Sequence, residues 1–168
     1  VAACSAALLS GCASGNKEAG QNPFLSEYNT PFQVPPFDEI KMEHYKPAFL
    51  QGMEEQAKEI EAIVNNEEPA TFENTIVALD QSGQLLSKVS IVFSGLNSAN
   101  TNDEMQALSR ELSPLLSKHS DDINLNADLF ARVKAVYEQR ESLDLTAEEQ
   151  KVLENQYKRF VNSGAELG

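Results

Sequence analysis

Two cysteines, two histidines and a few adjoining carboxylates are the residues of this 168-residue sequence whose types suit covalent, metal or acid–base chemistry. The histidines, His44 and His119, stand about 75 positions apart, and neither belongs to a His-Glu-x-x-His motif or any other close ligand pair. A zinc site needs three or four ligands converging on one point. His119 with Asp121 and Asp122 would make one only if a distant residue joined them. The simpler readings are structural: His44 opens a helix within Glu43-His44-Tyr45, and His119 is a cation near a helix end, where the macrodipole favours positive charge. Glu54-Glu55 and Glu67-Glu68 can be read as acid–base pairs or as solvated carboxylates of an acidic surface. There is no Gly-x-Ser-x-Gly and no Gly-rich phosphate loop. Both cysteines, Cys4 and Cys12, lie in the first twelve residues, so the body has no thiol nucleophile, disulfide or Cys-ligated metal. The residues themselves assign no catalytic, cofactor-binding or metal-binding position.

Cys12 has a chemistry of its own. Residues 1–12 are small, apolar and uncharged, and too short to span the roughly 30 Å of a bilayer core. They read as the end of a secretory signal, truncated at its start, and Leu9-Ser10-Gly11-Cys12 looks like a bacterial lipobox. Cys12 is then the lipidated N-terminus, carrying the two or more acyl chains that stable anchoring needs. A small-residue helix start with an incidental cysteine is the alternative. Residues 13–21 read as a flexible tether. Ala13, where an Asp would signal inner-membrane retention, favours the outer membrane. The expected location is the bacterial cell envelope, lipid-anchored and facing the periplasm.

Charge and composition narrow the partners. Thirteen basic residues against 26 acidic ones give −13, the reverse of what nucleic acid binding requires. Apolar residues make up 41% and charged residues 23%, the composition of a foldable globular chain.

Positioning must come from helices. Residues 22–38 interleave Pro23, Pro31, Pro35 and Pro36 with Phe24, Tyr28, Phe32 and Phe37, which forbids a regular helix and predicts an extended strap whose aromatics dock on a protein surface. A helical stripe through Tyr45, Phe49, Met53, Ile60, Ile63 and Val64 predicts a first helix over about 42–65, with Pro47 near its first turn. Thr71 caps a second helix reaching about Asn97, in which Gly83 and Gly95 mark close backbone approaches. Thr101-x-x-Glu104 reads as a capping box for a third, which Pro114 should kink near Arg110 and Glu111. Asn126 caps a fourth. Thr146-x-x-Glu149 opens a fifth, which carries Leu153, Gln156, Tyr157 and Phe160 and closes at Gly164. The fold class is all-α: about five amphipathic helices in antiparallel hairpins behind a Pro/aromatic strap.

The ordered string Asn22-Pro23-Phe24-Leu25, Thr30-Pro31-Phe32, Pro35-Pro36-Phe37-Asp38, Glu43-His44-Tyr45, Pro47-Ala48-Phe49 and Gly52-Met53 adds what periodicity cannot. Together with Pro69-Ala70-Thr71-Phe72-Glu73-Asn74-Thr75-Ile76, Leu129-Phe130 and Tyr157-Lys158-Arg159-Phe160, it resembles the amino-terminal segment of the thimet oligopeptidase family of zinc metallopeptidases, in its bacterial peptidyl-dipeptidase and oligopeptidase branches. The resemblance runs over residues 22–168. It implies a mostly helical, two-lobed peptidase acting on short peptides in a deep channel. It also implies zinc held by a His-Glu-x-x-His motif and a downstream Glu, none of which this sequence contains. The expectation is a non-catalytic wall of a longer enzyme, inactive alone, with zinc in the parent and short peptides as the parent's substrates. The rival expectation is a free-standing helical lipoprotein that binds peptides or a protein partner.

Overall fold

The computed structural model describes residues 21–165, which are helical and contain no strand, as the sequence predicts. The expected signal, tether and Cys12 anchor lie outside the described residues, apart from Gln21. Five helices of twelve residues or more carry the fold: α1 (Met42–Val64), α2 (Gln84–Ala99), α3 (Asp103–Asn124), α4 (Ala127–Glu138) and α5 (Ala147–Asn162). No helix among the described residues is long and apolar enough to cross a membrane.

α1 is the spine, and it serves two cores. Its first half puts Tyr45, Ala48 and Phe49 against Val89, Val92 and Phe93 of α2, Met105 and Leu112 of α3, and Phe24 of the strap. Its second half puts Ile60 and Ile63 against Phe72, Ile76 and Leu79, against Leu129, Phe130, Val133 and Val136 of α4, and against Leu153 and Phe160 of α5. Each fully buried side chain of this size stabilises the fold by about 1.5–3 kcal/mol. Rings dominate both ends. Tyr45 and Phe49 meet Phe93 edge-on at 5.2 and 5.6 Å, while Tyr137 stacks on Tyr157 at 3.9 Å.

The second helix is not continuous. A wide π-type turn, Phe72–Val77, leads into a short α-turn, Ala78–Asp80, and the chain then breaks before α2. Gly83 is the cause: its φ of 72° lies in the left-handed region, where a helix cannot propagate and glycine is favoured. Its N–H donates to Glu59 Oε2 at 2.7 Å, which fixes the break against α1. The expected close approach at Gly83 is present, since a Cβ there would lie 2.6 Å from the Gln56 amide. At Gly95 it is absent, because that position faces open space. A close approach to a neighbouring backbone is found instead at Gly52, where a Cβ would sit 2.8 Å from Leu86 N.

The caps largely follow the sequence. Thr71 Oγ1 accepts the Asn74 N–H and Asn126 Oδ1 that of Leu129. Thr146 and Glu149 form the reciprocal box, and Gly164, with φ 90°, follows the Ser163 cap of α5. α3 is capped one residue late: Asn102 Oδ1 takes the Met105 N–H, while the Thr101 hydroxyl turns back to Asn97. The helix continues through Pro114 to Asn124. Pro47 is the sixth residue of α1, past the first turn, so its missing N–H falls where an intrahelical donor is due.

The strap is half as docked as the sequence suggests, and it is interrupted by two 3-10 turns, Pro23–Leu25 and Pro31–Gln33. Phe24 is buried against Tyr45 and Tyr28 is half-buried under Lys88, but Phe32 is 99% exposed and Phe37 50%.

Candidate functional site

His44 and His119 are both taken up by the scaffold. Nδ1 of His44 accepts the Lys41 N–H at 2.9 Å and so closes the first turn of α1, the helix-start role its position suggests. His119 is not a helix-end cation. It sits more than a turn before the end of α3, and its Nε2 lies 2.7 Å from Gln56 Oε1 on α1. Burial pushes its pKa down, with the nearby Asp122 charge pulling weakly the other way, so the ring is mostly neutral near pH 7.

From His119 a chain of hydrogen bonds runs to the Gly83 break. Nε2–H donates to Gln56 Oε1, Gln56 Nε2 donates to Ser82 Oγ at 3.1 Å, and the Ser82 hydroxyl donates to the Leu79 carbonyl at 2.7 Å. Sequence reading missed Gln56 and Glu59, both in the run of charged and amide residues along the polar side of α1, where nothing distinguishes a bridging amide from a solvated one. Arg132 was missed for the same reason. Its guanidinium donates to the Asn66 and Glu68 carbonyls at 2.9 and 3.2 Å and to Asn74 Oδ1 at 3.3 Å, tying α4 to the connection after α1. Gln156 did leave a signal, as the amide inside the apolar stripe of α5. It is buried and donates to the Ile76 carbonyl at 3.0 Å.

The carboxylates do not assemble a site. Asp122 pairs with Lys118 at 2.6 Å rather than turning toward His119, and Glu54 pairs with Lys58 at 2.6 Å. The Lys58 ammonium, by hydrogen bond and then by charge, holds the Glu54 carboxyl below its usual range, the wrong direction for a general acid at neutral pH. Among the described residues no three His, Cys, Asp or Glu side chains converge. The described residues therefore do not fit a catalytic zinc. A surface groove of about 560 Å³ between α4 and α5 is lined in part by Tyr137, Arg140, Glu141, Gln150 and Glu154. The Arg140 guanidinium carbon lies 4.2 Å from the centre of the Tyr137 ring, and Nη1 donates to the Tyr137 carbonyl at 2.9 Å. Of the groove's two carboxylates, Glu154 is paired with Lys158, which by hydrogen bond and then by charge holds it below its usual range.

No protein-family model matches the chain. Curated proteins do. The dipeptidyl carboxypeptidase of Escherichia coli strain K12 is 47% identical over 146 residues, which is 87% of this chain and 21% of that protein. The Salmonella typhimurium LT2 dipeptidyl carboxypeptidase is 48% identical over the same share of this chain and 22% of its own length. Oligopeptidase A of Escherichia coli is 27% identical over 87% of this chain. The chain spans about a fifth of the length of the curated relatives it matches. A shared helical period does not produce near-half identity over 146 aligned positions, so the chain belongs to the thimet oligopeptidase family, as an amino-terminal segment of it.

Proposed function

We propose that this chain is the amino-terminal, non-catalytic portion of a lipid-anchored zinc metallopeptidase of the peptidyl-dipeptidase or oligopeptidase type, hydrolysing short peptides in the bacterial cell envelope. The observation that carries the reading is the match itself: 47% identity over 87% of this chain against 21% of a dipeptidyl carboxypeptidase. The remaining four fifths or so of such an enzyme is where a zinc-binding His-Glu-x-x-His would lie, and zinc would supply there a metal-bound water as the attacking group. No step of that chemistry runs through the residues described. Their part is mechanical: a two-core helical body, rigid along α1, that forms a wall for the catalytic helices to close against.

Anchoring at Cys12, periplasmic orientation and outer-membrane placement belong to the same proposal and rest on the lipobox-like Leu9-Ser10-Gly11-Cys12. Labelling cells with an alkyne fatty acid tests them: the label is expected on the protein and is lost with Cys12→Ser.

Reading the coding frame beyond Gly168 and assaying its full product tests the peptidase. His-Glu-x-x-His is expected downstream, with chelator-sensitive release of dipeptides or short fragments from peptides with free C-termini, while the 168-residue chain alone turns over nothing. A stop codon after Gly168 would leave the free-standing binding lipoprotein as the better reading, as would metal-independent turnover by the short chain.

A further inference from the structure

The strap is held at both ends and free in the middle. At its start, Asn22 Nδ2 donates to the His44 carbonyl at 2.8 Å and Phe24 is buried beside Tyr45. Lys88 then clamps it, donating to the Phe24 and Ser26 carbonyls at 3.1 and 2.8 Å with its ammonium 3.9 Å over the Tyr28 ring. At its end, Ile40 packs on the same core. Between these anchors the chain turns sharply, and the Thr30 hydroxyl donates to the Val34 carbonyl across the turn. Phe32 and Gln33 both take left-handed backbone angles, φ 60° and 54°, which non-glycine residues seldom adopt and rarely in succession. The strained turn delivers an aromatic ring into water: Phe32 is 99% exposed, with Val34 at 47% and Phe37 at 50%. The nine residues from Asn29 to Phe37 carry no charge in a chain of net charge −13.

We propose that this tip, Pro31 to Phe37, is a docking knob whose Phe32 ring, flanked by Val34 and Phe37, seats in an uncharged apolar socket on the part of the peptidase that this chain lacks. The inference rests on the reading under Proposed function. Three observations favour that occupant. The relatives have about four fifths of their length with no counterpart here. The body at hand already seats Phe24 and gives Phe32 no contact, so the ring's partner lies elsewhere. A neutral tip on a strongly acidic molecule suits an apolar surface held at a fixed place, and avoids the charge repulsion that a second acidic copy would bring.

Cys4 and Cys12 are the two cysteines of this sequence, so in a Cys4→Ser, Cys12→Ser background a thiol introduced by Phe32→Cys is unique among its 168 residues. Its maleimide labelling rate is read by mass spectrometry in the 168-residue chain and in the full product of the coding frame, each normalised to its rate in urea. The expected result is labelling near the urea rate in the short chain and at least tenfold slower in the long one. Phe37→Cys should behave likewise. Phe32→Asp should raise protease susceptibility of the long chain and leave that of the short chain unchanged. Equal labelling in both chains, with the long one an active peptidase, would overturn the docking knob while leaving the proposed function intact. Protection in the short chain that grows with its concentration would assign the tip to self-association and overturn it too. A frame that stops at Gly168 removes the occupant and overturns both readings.

Discussion

Single residues decide where this chain bends, and its glycines show it with opposite signs. Gly52→Ala would drive a Cβ to 2.8 Å from the Leu86 backbone, which cannot move without shifting α2, so a loss of about 3 kcal/mol is expected. Gly83→Ala combines a left-handed φ with displacement of the Gln56 amide, and about 2 kcal/mol should go. Gly95→Ala meets nothing within 4 Å and sits inside α2, so it should stabilise by about 0.5–1 kcal/mol. Urea midpoints of the three variants check the order; a destabilised Gly95→Ala would contradict the packing described. Protons act at the same scale through His119. Burial lowers its folded pKa below the ordinary 6.5, so on acidification the unfolded chain takes up the proton first and stability falls as pH drops through and below about 6.5. The difference in urea midpoint between the parent chain and His119→Gln, measured at pH 7.5 and 5.5, should shrink or reverse at the lower pH. A difference independent of pH would show that the imidazole does not titrate where its burial demands.

Elements are set by their ends more than by their middles. α5 starts at a box in which the Thr146 hydroxyl takes the Glu149 N–H at 3.2 Å and Glu149 Oε2 takes the Thr146 N–H at 2.7 Å. Thr146→Ala should cost about 1 kcal/mol, seen as a lower melting temperature, and hydrogen exchange should quicken first in the opening turn of α5. Uniform exchange along the helix would mean that packing on Phe130 and Tyr137 of α4 alone holds it. These ends were legible in the sequence because a capping side chain lies within three residues of the group it serves. The break at Gly83 was not, since a glycine in an apolar-periodic run reads the same whether it continues a helix at positive cost or ends one in the left-handed region. Glu59 and Gln56, which fix that break, lie 24 and 26 positions upstream of their partners.

At the scale of the molecule, one 23-residue helix is shared by two hydrophobic clusters. Because α1 contributes to both, loss of either cluster exposes part of the face that supports the other, and a single cooperative transition is expected. Tyrosine fluorescence and peptide-level hydrogen exchange should give coincident urea transitions for residues 45–49 with 89–93 and for residues 129–136 with 153–160. Two separated transitions would show that α1 can fray at its middle and that the segment behaves as two units.

The sequence by itself determined the all-α class, the caps of α4 and α5, the apolar stripes and the family, since all of these are written in local spacing or in residue order. It also held a wrong expectation for His119 and for half of the strap. Only the tertiary structure decided that His119 is a neutral partner of Gln56, that Gly52 rather than Gly95 is the tight crossing, and that Phe32 finds no seat on this body. The reason is the same in each case: burial and contact depend on which distant element arrives, and neither composition nor period carries that information.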